Sequence, residues 1–138
     1  MDINKFTIKA QEALSEAQNL AAARDHQEVD VEHMALALLR QEDGLVPRIV
    51  ERMGLVPGVI ANSLEQALAK RPGVRGPGME GQGIRISQRL AKSLALAEEL
   101  AKRLRDEYVS VEHIFAALIG PTLSGAFGDI CREYGMDQ

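Results

Sequence analysis

The stretch that decides the fold is Val29-Asp30-Val31-Glu32-His33, because it returns later in the chain as Val109-Ser110-Val111-Glu112-His113. The two stretches are 80 positions apart. The same offset aligns further apolar residues: Leu14 with Leu94, Ala17 with Ala97 and, after a one-residue insertion, Ile49 with Ile130. A repeat of this length indicates two copies of one structural unit, so each residue is best interpreted beside its counterpart.

Each copy is predicted to begin with a long helix that carries one apolar face. The apolar residues recur at the i, i+4, i+7 spacing of a helix, at positions 10, 14, 17 and 21 and again at 90, 94, 97 and 101. Thr7 and Ser87 stand at the starts, where a hydroxyl accepts a hydrogen bond from a free backbone N–H of the first turn. Asp30 and Ser110 are predicted to cap the second helix of each copy in the same way.

Two further helices are predicted in the first copy. Pro47 lies in the first turn of the third helix and Gly54 at its end, where a positive φ is available to glycine. A fourth helix is expected to run from near Pro57 to Lys70. The second copy reaches Gln138 before any counterpart of that helix, which we interpret as a fragment of a longer protein or as incomplete symmetry.

The expected organisation is one all-α domain over residues 1–138. Repeat one covers 1–70, a connecting loop rich in glycine and proline covers 71–85, and repeat two covers 86–138. Within the loop, Gly76-Pro-Gly78-Met-Glu-Gly81 matches the GxGxxG pattern of dinucleotide-binding proteins, but no apolar strand precedes it. We therefore interpret it as linker and expect no cofactor in this chain.

Composition excludes several classes of protein. Aromatic residues make up only 4% of the 138 residues, which leaves a core of Leu, Ala, Val, Ile and Met and makes a β-sandwich improbable. The net charge of −4 offers no general attraction for a phosphate backbone, so no nucleic-acid partner is expected. The longest apolar run, Met34 to Leu39, is far shorter than the roughly 20 residues of a membrane-spanning helix. A cytoplasmic protein without membrane contact is expected.

No catalytic or metal-binding constellation is evident. His33 and His113 each follow a glutamate, but adjacent residues on a helix point about 100° apart and make a poor chelate. We expect these histidines to pack or hydrogen-bond at a helix start and His26, which has no obvious counterpart, to lie on the surface. Cys131 aligns with Val50, which predicts burial rather than reactivity. No GxxxxGK[ST] motif is present, so the chain is not expected to be an enzyme.

Two apolar residues break the pattern of the helix faces. Leu96 lies off the apolar stripe, and its counterpart is the charged Glu16, while Ile8 lies nearly opposite Ala10 and has the polar counterpart Gln88. Such positions are candidates for an exposed contact surface. The acids and free N–H groups at the helix starts are a further candidate binding site, for a peptide's guanidinium or for an anion. Capping and the helix dipole also explain these residues.

Three stretches resemble the N-terminal domain of ClpB-type disaggregases in the Clp family of AAA+ chaperones: Asp2-Ile-Asn-Lys-Phe-Thr7, His26-Gln-Glu-Val-Asp-Val-Glu-His33 and Gln41-Glu-Asp-Gly-Leu-Val-Pro-Arg48. The resemblance extends over essentially the whole chain, repeat and loop included. It implies a pseudo-twofold helical bundle that lies before coiled-coil and ATPase modules, with ATP and Mg²⁺ bound only in those modules. It also implies a homohexameric parent that works with a DnaK-type chaperone system, and the isolated fragment is expected to be a monomer.

The resemblance further implies a role and a set of contact residues. In this family the domain captures unfolded or aggregated polypeptide and delivers it to the ring. The positions implied for contact are Thr7, Ser87, Asp106 and Glu112, with Leu94 and Leu96 in an apolar groove. The alternative is an adaptor-docking or phosphoarginine-reading domain of ClpC/ClpA type, which uses the glutamates corresponding to Glu32 and Glu112. Val31 and Val111 stand where that relative has threonine, so the hydroxyl contribution is lost.

Overall fold

The computed structural model describes residues 3–73, 85–120 and 125–136. A short 3-10 helix, Ile3–Lys5, precedes the first α-helix. The remaining elements follow in this order: α1 Ile8–Ala23, β1 Glu28–Val29, α2 Val31–Leu39, α3 Leu45–Arg52, α4 Pro57–Ala69, β2 Arg85–Ile86, α5 Gln88–Arg103, α6 Val111–Leu118 and α7 Gly125–Tyr134. The all-α prediction is confirmed, and α5, α6 and α7 are the counterparts of α1, α2 and α3.

Side-chain caps start the helices where the sequence places them. Thr7 Oγ1 accepts the Ala10 N–H at 3.2 Å, and Ser87 Oγ accepts the Leu90 N–H at 3.0 Å. Asp30 and Ser110 each open a capping box, in which the imidazole Nδ1 three residues later accepts the cap's own backbone N–H. These bonds satisfy donors that a helix start otherwise leaves free, which fixes where each helix begins.

The centre of the bundle is α2. All nine of its residues are buried, rather than only the face predicted from periodicity, because α1, α4, α5, α6 and α7 all pack around it. A helix enclosed on every side has no solvent-facing stripe. The polar Glu32 and His33 are therefore buried together with the apolar residues, and both must find partners inside the protein.

Aromatic side chains contribute more to the core than the composition indicates. Phe6, Phe115 and Phe127 are the three phenylalanines of the chain, and all are among the largest fully buried side chains. Cys131 is also buried, as predicted. Gly54 ends α3 with φ +83°, the conformation that its position predicts. A close-packed core of mixed aliphatic and aromatic groups thus joins both copies.

The two copies hold each other through their extended segments. The Thr7 N–H donates to the Val109 carbonyl at 2.9 Å, and the Ser87 N–H donates to the Val29 carbonyl at 3.0 Å. Strand β1 pairs in parallel with β2, and Phe6 forms an equivalent parallel bridge with Val109. Each copy thereby aligns the first helix of the other, which is the pseudo-twofold relation expected for a duplicated unit.

The predicted loop over 71–85 lies largely outside the described residues, as does the GxGxxG match. Of its ends, residues 71–73 follow α4 and Arg85 belongs to β2. None of the helices in the described ranges is long and apolar enough to cross a lipid bilayer.

Candidate functional site

Two polar clusters lie at equivalent places in the two copies. We define the first-copy cluster as Asp30, Glu32, Arg71, Ser87 and Arg89. The second-copy cluster consists of Thr7, Asp106, Ser110, Glu112 and His113. Each lies where the start of the second helix in one copy meets the start of the long helix in the other. Their surroundings nevertheless differ in charge and exposure.

The first-copy cluster is centred on the carboxylate of Glu32, which has no exposed surface. It accepts hydrogen bonds from the guanidinium of Arg71, from Arg89 at 3.2 Å and from the backbone N–H of Phe127 at 2.9 Å. These donors come from three separate parts of the chain. A buried carboxylate is tolerated because its charge and lone pairs are all engaged, and Glu32 therefore ties α2 to α5, to α7 and to the segment after α4.

Asp30 completes this cluster. Its carboxylate accepts the Ser87 hydroxyl at 2.7 Å, the Val31 N–H at 2.8 Å and the Arg89 guanidinium at 2.9 Å. Burial acts to raise the pKa of Asp30, but the bonds from Ser87 and Val31 and the charges of Arg89 and Arg71 outweigh it and lower the pKa. The pKa of Arg89 is raised despite its own burial, chiefly by its bond to Glu32. The ionised pairs are thus the stable state of this site.

His26 is not a surface residue, as the sequence analysis expected, but is buried with only 8% of its surface exposed. Its Nδ1 lies 2.8 Å from Nε2 of His33. The offset of 80 positions places His26 on Asp106, a counterpart that the sequence comparison missed. Extending the ungapped alignment backwards from the Val-Glu-His motif would have identified this counterpart.

The two carboxylates of the second-copy cluster are open to solvent. Asp106 is half exposed at its side chain, and its carboxylate accepts a hydrogen bond from the Nε2–H of His113 at 2.8 Å. Glu112 is exposed, and its carboxylate accepts the Ser110 hydroxyl at 3.0 Å. The counterpart of Arg89 is the exposed Lys9. Among the described residues no arginine closes on Glu112 as two do on Glu32.

The predicted contact residues therefore divide into exposed and enclosed ones. Glu112 and Asp106 are exposed, and Thr7 and Leu96 are partly buried. Ser87 is 4% exposed and serves as a cap and as a donor to Asp30. Leu94 and Glu32 have no accessible surface, since Leu94 packs in the core and Glu32 is enclosed by its donors. Thr7, Asp106 and Glu112 thus lie together in the second-copy cluster, whereas Leu96 lies outside that cluster and Leu94 offers no accessible surface to a partner.

Exposed apolar side chains lie beside the second-copy cluster. Ile8 is 69% exposed and Tyr108 is 50% exposed, and each adjoins a residue of the Thr7–Val109 hydrogen bond. Ile3 is 48% exposed and lines a shallow pocket of about 420 Å³ together with Ile8. We call Ile3, Ile8 and Tyr108 the apolar rim. Periodicity indicated Ile8 as exposed, which is confirmed, whereas Tyr108 was not singled out.

A second surface feature is a groove of about 830 Å³ between α4 and α7. Val56 and Val59 line it and are exposed, as are the charged Lys70, Asp129 and Glu133. This groove lies on other elements than the apolar rim and carries none of the predicted contact residues. It provides a comparison surface of similar apolar character.

Metal and nucleophile chemistry find little support in the described ranges. No group of three or more His, Cys, Asp or Glu side chains there is arranged to hold a metal ion. Burial raises the pKa of the Cys131 thiol to about 12, so the reactive thiolate is scarce at neutral pH. What the site offers chemically is carboxylates, hydroxyls and apolar surface, which suits binding.

Comparison with known protein families places residues 5–130 within the model of the Clp repeat (R) N-terminal domain. The chaperone protein ClpB of Nitratidesulfovibrio vulgaris is 52% identical over 138 residues, which is all of this chain and 16% of that protein. ClpB of Clostridium perfringens is 33% identical over 133 residues, covering 96% of this chain and 15% of that protein. The chain thus spans a small part of the length of these relatives.

Solved structures show the same fold. The N-terminal domain of Hsp104 from Candida albicans superposes with a TM-score of 0.81 at 24% identity, covering 96% of this chain and 83% of that one. The N-terminal domain of the ClpV1 ATPase from Escherichia coli also gives a TM-score of 0.81 at 24% identity, with 96% and 77% covered. A ClpV N-domain in complex with a VipB peptide gives 0.74 at 23% identity, with 94% and 79% covered.

Proposed function

The chain belongs to the Clp repeat N-terminal domain family and is of the ClpB type, and from that premise we propose that it binds exposed segments of unfolded or aggregated polypeptide. The binding surface is the apolar rim together with the open carboxylates of Asp106 and Glu112. The observation that carries the proposal is the position of Ile8 and Tyr108, two largely exposed apolar side chains beside an acidic, solvent-open cluster.

The chemistry of this surface favours a client that is apolar and basic. Apolar side chains of an unfolded segment lose contact with water when they cover the apolar rim, which stabilises the complex by about 25 cal/mol for each Å² removed. Asp106 and Glu112 attract Lys or Arg in the same segment, and this attraction is weakened by salt because both acids are exposed. A surface with only a shallow pocket gives weak, sequence-tolerant binding, because the entropy lost when the client associates and becomes ordered opposes the complex.

Weak binding suits a module that passes its client on. We propose that the chain lies at the front of a homohexameric ATP-dependent disaggregase that acts with a DnaK-type system, and that it delivers captured polypeptide to the ring. Several such domains on one ring raise the effective affinity without tightening any single contact. The peptide-bound ClpV N-domain supports the general point that this fold accommodates peptide partners.

The alternative of guanidinium reading by both glutamates is less well supported. Glu32 is enclosed and already holds Arg71 and Arg89, so its carboxylate is not accessible to a partner. Glu112 remains accessible, and a basic side chain of a client suits it. An adaptor or a phosphorylated arginine that required both glutamates would have to displace two internal arginines.

The test is binding of a fluorescently labelled, permanently unfolded polypeptide, such as reduced and carboxymethylated casein, measured by anisotropy. The double variant Ile8→Ser/Tyr108→Ser removes apolar surface from the rim. We expect the Kd to rise about tenfold, which corresponds to roughly 1.4 kcal/mol of lost apolar contact. Glu112→Gln is expected to weaken binding about twofold at low salt and not at all at high salt.

The matched control is Val56→Ser/Val59→Ser, which removes two exposed apolar side chains from the α4–α7 groove. It should leave the Kd unchanged. If the control variant lost binding and the rim variant kept it, the α4–α7 groove would be the client site. If neither variant altered the Kd, the proposed function at either surface would be wrong.

A further inference from the structure

Three hydrogen bonds run in series through the buried histidine pair of the first copy. The Asp30 backbone N–H donates to Nδ1 of His33 at 2.9 Å. Nε2 of His33 lies 2.8 Å from Nδ1 of His26. The backbone of Arg71 also hydrogen-bonds to the His26 side chain, a contact that acts to raise the pKa of His26. The series therefore links the start of α2, the segment after α1 and the segment after α4.

The end groups determine where the protons lie. A backbone N–H only donates, so Nδ1 of His33 accepts and the proton of that ring is on Nε2. Nδ1 of His26 must then accept from His33, and its Nε2–H donates to the carbonyl of Arg71. Both rings are neutral, and both basic lone pairs are already used. An additional proton on Nδ1 of His33 would face the Asp30 N–H, and one on Nδ1 of His26 would face the Nε2–H of His33, so either proton would break a hydrogen bond.

We propose that this histidine series is an acid-sensitive latch, which breaks when either imidazole is protonated and thereby releases the segment after α4 from the first copy. The latch is intact at neutral pH and opens only when the pH falls towards the lowered pKa of His33, about 4. Its opening loosens the carbonyl of Arg71, whose guanidinium engages Glu32 and Asp30, so the first-copy cluster is loosened with it. The inference does not depend on the proposed client-binding surface.

The charges around the histidine pair do not stabilise a protonated ring enough to offset the loss of its hydrogen bonds. The charged or titratable groups that face the two histidines are Arg24, Asp25, Asp30, Glu32 and Arg71. Burial lowers the pKa of His33 to about 4, and the neighbouring His26 and Arg71 add to the lowering. Burial also lowers the pKa of His26. Asp30 and Glu32 act in the opposite direction, but their charges are engaged by arginine.

The second copy has no such latch. There the counterpart of His26 is Asp106, so His113 faces a carboxylate that accepts a hydrogen bond from a charged imidazole as well as from a neutral one. Nδ1 of His113 accepts the Ser110 N–H at 2.9 Å, as Nδ1 of His33 accepts that of Asp30, and Ser110 Oγ lies 3.0 Å from the same nitrogen. One residue, His26 against Asp106, thus gives the buried histidine of each copy a different hydrogen-bond partner.

The primary test is NMR of the imidazole nitrogens, recorded on the whole chain from pH 8 to pH 4. We expect His33 and His26 to be neutral Nε2–H tautomers at neutral pH, and His33 to remain unprotonated above about pH 5. On further acidification the amide signals of Asp30 and of residues 71–73 should change together. Normal titration of either ring near pH 6.5 in the folded protein, or a proton on either Nδ1 at neutral pH, would overturn the proposal.

The second test is chemical unfolding as a function of pH. The direction of the pH dependence follows from the lowered pKa of His33. The unfolded chain binds a proton at this ring below about pH 6.5, whereas the folded chain does not bind it until about pH 4. Stability is therefore full above pH 6.5 and falls as pH falls, and the unfolding equilibrium constant should rise by up to about tenfold per pH unit in this window.

His26→Asp transfers the pairing of the second copy to the first and is expected to flatten that slope. His113→Gln is the matched control and should keep it. An unchanged slope in His26→Asp would contradict the latch. If that variant failed to fold, the tautomers and titration of the unaltered protein would still decide the question.

Discussion

The two copies present the same Val-x-Val-Glu-His motif in opposite settings. Glu32 is fully enclosed and holds two guanidinium groups, whereas Glu112 is exposed and accepts a serine hydroxyl. The local backbone is the same, since both motifs open a helix with a capping box. The difference lies in what the other copy brings to each site. Duplication thus supplies two equal helix starts, and the neighbouring side chains enclose one and leave the other exposed.

The largest expected effect comes from breaking the enclosed glutamate. Glu32→Ala should lower the free energy of unfolding by about 3 kcal/mol, because it leaves Arg71 and Arg89 without their buried partner. Glu112→Ala should change it by less than about 0.5 kcal/mol, as for an ordinary surface site. Urea unfolding of both variants measures the contrast. Equal losses of unfolding free energy in the two variants would show that the two glutamates contribute equally to stability, contrary to this prediction.

The two hydroxyl caps sharpen the comparison. Ser87→Ala should cost about 2 kcal/mol, because it removes the cap of α5 and also the buried donor to Asp30. Thr7→Ala removes only a partly exposed cap and should cost about 1 kcal/mol. Thermal unfolding monitored by circular dichroism ranks the two. A greater loss for Thr7→Ala would contradict the assignment of Ser87 to the enclosed site.

An exchange of the aspartate and serine caps tests the role of charge. Asp30→Ser retains a capping side chain but removes the bonds to Arg89 and Arg71, and should cost about 1.5 kcal/mol. Because the pKa of Asp30 is lowered on folding, its contribution is present above its ordinary value of 3.8 and is lost as pH falls below it.

The difference between the unaltered chain and Asp30→Ser should therefore shrink below pH 3.8, which unfolding curves at pH 7 and pH 3 measure. The reciprocal Ser110→Asp should alter stability by less than about 0.5 kcal/mol at pH 7. A difference that grew on acidification would show that the carboxylate is not stabilised in its ionised form.

A small effect is also expected at Cys131, a buried position whose counterpart in the first copy is the apolar Val50. Cys131→Val gives the second copy the residue that the first copy has at position 50, and should cost less than about 1 kcal/mol because the volume is nearly conserved. In the unaltered protein, the raised pKa and burial of the thiol should make alkylation by iodoacetamide far slower than in urea. Rapid labelling of the folded chain would contradict this.

Much of the fold was predictable because its determinants are local. The caps at Thr7 and Ser87 and the period of the apolar faces act within one or two helical turns, and the offset of 80 positions shows that both copies carry the same local signals. The enclosure of α2 was not predictable from its own period, since helices from both copies contribute to it. His26 was misplaced on the surface for the same reason, because its partner His33 packs onto it only in the folded chain.

The candidate site divides in the same way. The carboxylates and hydroxyls at the helix starts were indicated by the sequence, and Asp106 and Glu112 lie exposed together with the rim residue Ile8. Leu94 and Glu32 were indicated equally well but are enclosed. Tyr108 carried no periodic signal, because it lies in the segment between α5 and α6 rather than on a helix face.

The sequence by itself determined that the chain is helical, that it is duplicated and where each helix begins. These properties depend on residues close together along the chain. Only the tertiary structure decided which glutamate is enclosed and which is accessible. The groups that close on Glu32 are 39, 57 and 95 positions away, and a side chain that distant becomes a neighbour only when the two copies pack. Charge and exposure at a site follow from those neighbours, so equal motifs acquired unequal roles.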